Sequence, residues 1–150
     1  MEIEGYSNYL IYQDGKVYSK KRKIFLKAPP DRGGYLHVDL CKDGRHKHHL
    51  VHRLVALHYI PNPNNYREVD HIDRDNQNNS IDNLRWCDRS MNNQNRGVNN
   101  NNKLKIKNIS KCQNVGYRFD KTINGKIHTK RFKTLEGAIK YKEEYLRALQ

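Results

Sequence analysis

The residues best equipped for chemistry lie between positions 69 and 93: Val69-Asp70-His71-Ile72-Asp73, then Asn78-Asn79, then Ile81-Asp82-Asn83-Leu84-Arg85-Trp86, then Asn92-Asn93. A carboxylate next to an imidazole, with side-chain amides following at set intervals, brings hard oxygen donors and a proton acceptor into one stretch. Metal-assisted hydrolysis uses these residue types, because oxygen donors suit Mg²⁺-like cations and neutral imidazole takes a proton near physiological pH. Neighbouring residues on a regular strand face opposite ways, so Asp70 and His71 can serve one site only if the strand ends or twists there. Asp73, Asp75 and Asp82 do not form an EF-hand loop, since the turn lacks its Gly and no Glu closes it.

The flanking pattern says what must hold these groups. Residues 52–60 repeat Leu54, Val55, Leu57 and His58 at helical spacing, and Pro61 ends the run. A Pro/Asn loop leads to a short strand over 69–72, a polar turn over 73–80 and a second strand over 81–86. A polar helix over 88–95 follows, with Asp88 at its N-cap. His52 and His58 fall on the first helix, where packing is the default role, and His46, His48 and His49 lack zinc spacing. Leu84 and Trp86 are core anchors.

Before that stretch, residues 1–50 predict a small antiparallel sheet with a basic face. Strands 9–12 and 16–18 join at Asp14-Gly15, expected as a tight primed turn. Strand 24–26 stops at Pro29-Pro30, and strand 35–40 turns at Asp43-Gly44 into 46–51. After it, Asn99-Asn100-Asn101-Asn102 predicts a linker over 98–102. Strands are expected over 107–111, 116–122 and 126–132, the last two joined at Asn124-Gly125, with a helix capped by Thr134. Alternation is expected to put Arg118, Lys126 and His128 on one sheet face and Phe119, Ile127 and Thr129 on the other.

Charge divides the chain in the same way. Residues 1–50 carry 10 basic and 6 acidic side chains, residues 51–97 carry 6 of each, and residues 98–150 carry 13 against 4. A net charge of +13 with a neutral middle suits a chemical module flanked by segments that hold a polyanion, nucleic acid before membrane. Apolar content of 35% would suggest disorder, but ten Tyr, three Phe and one Trp supply core bulk. Three scattered cysteines exclude a disulfide framework and a zinc ribbon, and no long apolar run occurs. The expected setting is intracellular and soluble.

The motif from Val69 to Asn93, with Val51-His52-Arg53-Leu54-Val55-Ala56 and Pro61-Asn62-Pro63 ahead of it, closely resembles the HNH homing-endonuclease motif in its Asn-ending form. That resemblance implies a ββα-metal core and cleavage of double-stranded DNA, as a nick or a double-strand break. It implies His71 as general base, Asp70 and Asn92 (with Asn93 as the neighbouring alternative) holding one Mg²⁺ or Mn²⁺, and Asn83 as the structural residue that orients His71. The tail resembles the plant ethylene-response-factor (APETALA) DNA-binding domain through Lys107 to Lys111, Tyr117-Arg118-Phe119, Ile123-Asn124-Gly125-Lys126 and Phe132 to Ala138. This implies DNA contacts from Arg118, Lys126, His128 and Lys130, with Lys103, Lys105, Lys107 and Lys111 on phosphates. Residues 34–40, Lys42-Asp43-Gly44 and Val51-His52-Arg53 resemble the nuclease-associated modular (NUMOD-like) segment. The expected whole is an α+β protein: a small N-terminal antiparallel sheet over 1–50, an HNH ββα-metal core over 51–97, the linker, and a three-stranded sheet plus helix over 103–150. It would act as a monomer or weak dimer, without zinc or membrane. A regulatory DNA-binding protein without catalysis is the rival class.

Overall fold

The computed structural model describes residues 1–99, 101–112 and 116–149; Asn100 of the expected linker lies outside them. The backbone divides into two units, Met1–Arg96 and Gly97–Gln150.

In the first unit, β1 (Glu2–Ile3), β2 (Tyr6–Ile11), β3 (Val17–Ser19) and β4 (Ile24–Phe25) form an antiparallel sheet in chain order. Strand β1 is too short for a sequence pattern to reveal, yet Ile3 is buried and pairs with Tyr6. The Asp14-Gly15 connection differs from the expected primed turn. Gly15 N donates to Tyr12 O and Tyr12 N to Lys16 O, and only the glycine takes positive φ (84°). This is a turn closed by a glycine bulge, which adds a residue to the loop and sets the pairing Ile11↔Val17. At Asp43-Gly44 both residues do have positive φ, as a primed turn requires, and they join β5 (His37–Lys42) to β6 (Arg45–Leu50).

Helix α1 (Val51–Tyr59) follows β6 without a loop. Leu50 offers no side-chain cap, and the orphan Val51 N–H donates instead to Leu36 O at 2.9 Å. Val51, Leu54 and Val55 make one buried face, with His52 and Ala56 beside them. Pro61 stops the helix, and Ile60 N closes it on Ala56 O.

Strand β7 (Glu68–His71) pairs antiparallel with β8 (Leu84–Cys87), and α2 (Arg89–Asn95) completes a ββα unit. Residues 81–83, expected as strand, form a 3₁₀ turn. The reason is local: Asn83 N donates to Ser80 O, and the Asn83 side chain is committed to the preceding loop. Ile3, Ile11, Val17, Val38 and Leu40 share one core with Val51, Leu54, Val55, Val69 and Leu84. The N-terminal strands and the ββα unit are therefore stabilised together, with about 1.5–3 kcal/mol from each fully buried large aliphatic side chain.

The second unit holds β9 (Ile109–Cys112), β10 (Gly116–Ile123), β11 (Lys126–Phe132) and α3 (Leu135–Arg147), with sheet order β11-β10-β9. Thr134 Oγ1 caps α3 by accepting from Gly137 N. Ile109, Phe119 and Ala138 form the buried centre, packed by Tyr141 and Tyr145. Asn102, expected in the linker, is anchored within this unit, donating to Ile106 O and Ile109 O.

No helix among the described residues is long and apolar enough to cross a membrane.

Candidate active site in the ββα unit

Asp70 and His71 are the last two residues of β7, and both are nearly buried, at 7% and 4% exposure. Their side chains have separate partners. Asp70 Oδ2 accepts from Arg85 Nε at 3.0 Å and from an Arg85 terminal nitrogen at 2.7 Å; Arg85 is its cross-strand neighbour. Asp70 Oδ1 accepts from Asn95 Nδ2 at 3.0 Å, and the same amide donates to His71 O at 2.8 Å. The His71 ring lies 5.1 Å from that of His52 and 5.9 Å from that of Tyr35, with its Nε2 3.1 Å from Asn79 Oδ1.

Helix α2 buries no residue, so apolar packing does not dock it. Side-chain amides do: Asn92 Nδ2 donates to Glu68 Oε2 at 2.6 Å, and Asn95 binds Asp70 and the His71 carbonyl. The resemblance implies Asn92 as the metal-holding amide of α2; in the structure Asn92 contacts Glu68, and Asn95, one turn further along the helix, contacts the Asp70 carboxylate. Asn83 does brace the loop after His71. Its Oδ1 accepts from Asp73 N, and its Nδ2 donates to Asp73 Oδ1 and Asn78 O. Hydrogen bonds from the Asp75 N–H first, and from Asn78 and Asn83, hold the Asp73 carboxyl below the ordinary carboxylate value.

His52 was open to core or surface packing on sequence, and it is buried. Its Nδ1 has no hydrogen-bond partner among the described residues. Burial, and then the neighbouring His71 and Arg53, push its pKa down to about 4, so it stays neutral beside His71. Burial likewise raises the Cys87 thiol to about 11, which keeps it from acting as a thiolate.

Asp70 is a buried carboxylate, the residue type a hard divalent ion would use, but its Oδ2 is held by Arg85 and its Oδ1 by the Asn95 amide nitrogen. No group of three or more His, Cys, Asp or Glu converges among the described residues.

In the second unit the register corrects the expected sheet faces. Phe119 pairs with Lys130, Lys121 with His128 and Ile123 with Lys126. Lys126, His128 and Lys130 therefore share the Phe119 side, against α3: the His128 ring lies 5.7 Å from that of Tyr145, and Lys130 Nζ is 4.2 Å from the Tyr141 ring centre. The open face carries Arg118 and Arg131, which pair, with Asp120, Thr122, Ile127 and Thr129. Arg118 and Thr129 both bind Asp120. A two-residue turn at Asn124-Gly125 fixes Ile123 opposite Lys126, and that parity was the signal available in the sequence.

A ββα unit with Asp-His at the end of its first strand and amides on its helix defines a class, and the comparisons agree with it. Residues 49–94 match the family described as HNH endonuclease. An uncharacterized HNH endonuclease of Acanthamoeba polyphaga mimivirus is 48% identical over 87 residues, 58% of this chain and 26% of that protein. The DNA endonuclease I-HmuI of Bacillus phage SP01 is 36% identical over 115 residues, 76% of this chain and 63% of that protein. A solved structure described as DNA binding and cleavage by the HNH homing endonuclease I-HmuI has a TM-score of 0.59 at 37% identity, covering 63% of this chain and 55% of that one. The chain thus spans only part of the length of the relatives that it matches.

Proposed function

We propose that this chain is a metal-dependent DNA endonuclease of homing type that hydrolyses phosphodiester bonds in double-stranded DNA at a recognised site. The observation that carries this reading is the pair of adjacent buried residues at the end of β7, Asp70 and His71, with the Asn95 side-chain amide of α2 bridging the Asp70 carboxylate and the His71 backbone carbonyl. The similarity to I-HmuI, whose structure is described as one of DNA binding and cleavage, supports it.

In this reading His71 takes the proton from the attacking water. Asp70 and an α2 asparagine would hold Mg²⁺ or Mn²⁺: the family resemblance favours Asn92, and Asn95 is the α2 residue nearest to hand at the Asp70 carboxylate. The bound ion supplies charge neutralisation at the scissile phosphate and the departing 3′ oxygen. Arg85 balances Asp70 and must release Oδ2 before another cation can use it. Asn83 keeps the loop after His71 in shape, which holds the imidazole in place.

The tail serves as an ethylene-response-factor-like DNA-binding domain, and the N-terminal segment as a NUMOD-like support. Arg118 and Arg131 on the open sheet face are the DNA contacts that the register favours. Lys103, Lys105, Lys107 and Lys111 contact phosphates, which position without specifying sequence. Lys126, His128 and Lys130 reach DNA only past the helix side of the sheet.

A supercoiled-plasmid assay tests the reading. Conversion to nicked or linear DNA is expected with Mg²⁺, not in chelator, and not with His71→Ala. A folded wild-type protein that binds DNA and never cuts a target-bearing plasmid returns the chain to the class of regulatory DNA-binding proteins.

A further inference from the structure

The side of His71 turned away from Asp70 is built with a care that the nuclease reading leaves unexplained. Asn79 is 4% exposed, and its two amide atoms have different duties. Asn79 Nδ2 donates to Gln77 O at 3.2 Å. A carbonyl can only accept, so this bond fixes which way the amide points and turns Oδ1 toward His71 Nε2, 3.1 Å away. Oδ1 is itself only an acceptor. The imidazole must therefore present Nε2–H to it, because an unprotonated Nε2 would set two lone pairs against each other in a desolvated place.

The partner that holds Asn79 comes from far away in the chain. Gly15, at the turn between β2 and β3, lies under it: a Cβ there would stand 2.8 Å from Asn79 Cβ and 3.1 Å from Val51 Cγ1. Gln13 O of the same turn accepts from Ile81 N at 2.8 Å, which pins the chain two residues beyond Asn79. Gly15 is thus required twice, for its φ of 84° and for the space that Asn79 fills.

We propose that Asn79, seated by the Gly15 turn, is a positioning residue that fixes His71 as its Nε2–H tautomer and leaves Nδ1 as the nitrogen that accepts the proton from water. The proposal rests on the nuclease reading for its consequence, though not for its geometry. It gives the N-terminal sheet a role in catalysis: the β2–β3 turn sets the chemical state of a side chain 56 positions later in the sequence, as the numbers of Gly15 and His71 show.

The test is long-range ¹H–¹⁵N correlation spectroscopy on the full chain with ¹⁵N-labelled histidine. It is run at about pH 8, above the ordinary imidazole value. The wild type is expected to show His71 as the Nε2–H tautomer. Asn79→Leu should show both tautomers and lose roughly 10²-fold in single-turnover cleavage rate, with DNA affinity unchanged, since only the proton acceptor is misplaced. Asn79→Asp, which keeps the acceptor, should keep the tautomer and stay within about tenfold of the wild-type rate. Gly15→Ala should reproduce the mixed tautomers, and circular dichroism accompanies each variant to show that it is folded. Wild-type His71 protonated on Nδ1, or a folded Asn79→Leu with wild-type tautomer and rate, overturns the proposal. An Nε2–H tautomer that Asn79→Leu scrambles, in a protein that cuts no DNA, upholds the coupling and overturns the nuclease reading instead.

Discussion

The two units place their polar groups in opposite ways. Among the described residues, every buried polar or charged side chain (Ser19, His52, Asp70, His71, Asn79 and Asn83) belongs to the first unit. Among its described residues the second unit buries only Ile109, Phe119 and Ala138, although residues 98–150 carry 13 of the chain's 29 basic side chains. Desolvating a polar group costs free energy unless hydrogen bonds replace water, and it fixes direction and protonation state when they do. Keeping charges in solvent costs little, and solvated basic charge attracts a polyanion at long range. In the proposed function that contrast assigns directed chemistry to the first unit and DNA grip to the second.

The largest expected effect breaks that division at its sharpest point. His71→Ala should lower cleavage by about 10²–10⁴-fold while leaving DNA affinity and its salt dependence as in the wild type. Single-turnover rates beside binding isotherms check this, and a variant that cuts at the wild-type rate removes His71 from the chemistry.

The next effect is on stability. His52 is held neutral in the fold with a pKa of about 4, against the ordinary 6.5. The unfolded chain therefore binds the proton more readily, and stability falls as pH drops through 6.5 toward 4. The loss is about 3 kcal/mol at most. Urea midpoints at successive pH values measure it, and His52→Gln should flatten the profile in that window. An unchanged profile would show that His52 is not the group being protected from water.

The cation site can be sharpened by comparing two asparagines on one helix. Calorimetric titration with Mn²⁺ should show Asn95→Ala weakening binding by roughly 10–100-fold, and Asn92→Ala by less, because only Asn95 touches the Asp70 carboxylate. The reverse order would favour Asn92, the residue that the family resemblance implies. Asp70→Ala should lose the most of the three.

The smallest effect tests the second unit. Arg118→Ala with Arg131→Ala should flatten the slope of log K against log[salt] by about 2, since each lost phosphate contact removes about 0.9. Cutting at low salt should persist. His128→Ala should change the slope less, because its ring is turned to Tyr145. Equal slopes for all the variants would mean that the open sheet face does not meet DNA.

The grouping of Asp70, His71 and Asn83 in the candidate site was legible, because they belong to one short motif carried on a strand pair and its connecting loop. The parts that were not legible depend on contacts made across the chain. Asn79 stands in the quoted motif, yet its duty follows only once the Gly15 turn lies beneath it. Asn95 and Asn92 share a helix, and which one meets Asp70 depends on how amides rather than apolar groups seat that helix on β7. The sheet-face error in the tail had another source. Alternation fixes parity within one strand, whereas parity between strands comes from the turn, and the Asn124-Gly125 turn places Lys126 opposite Ile123.

Strand β11 is an outer strand of its sheet, and Ile127 there is 70% exposed. An open strand edge with a bare aliphatic side chain is a template on which a second molecule could add its own strand. Lys126, Lys130 and Arg131 on the same strand give that approach a like-charge barrier, and salt shortens its range to about 8 Å at physiological ionic strength. The colloidal behaviour of the protein is therefore tied to its ionic surroundings. Salt or a polyanion that quiets the basic strand also removes what keeps two molecules from sharing an edge.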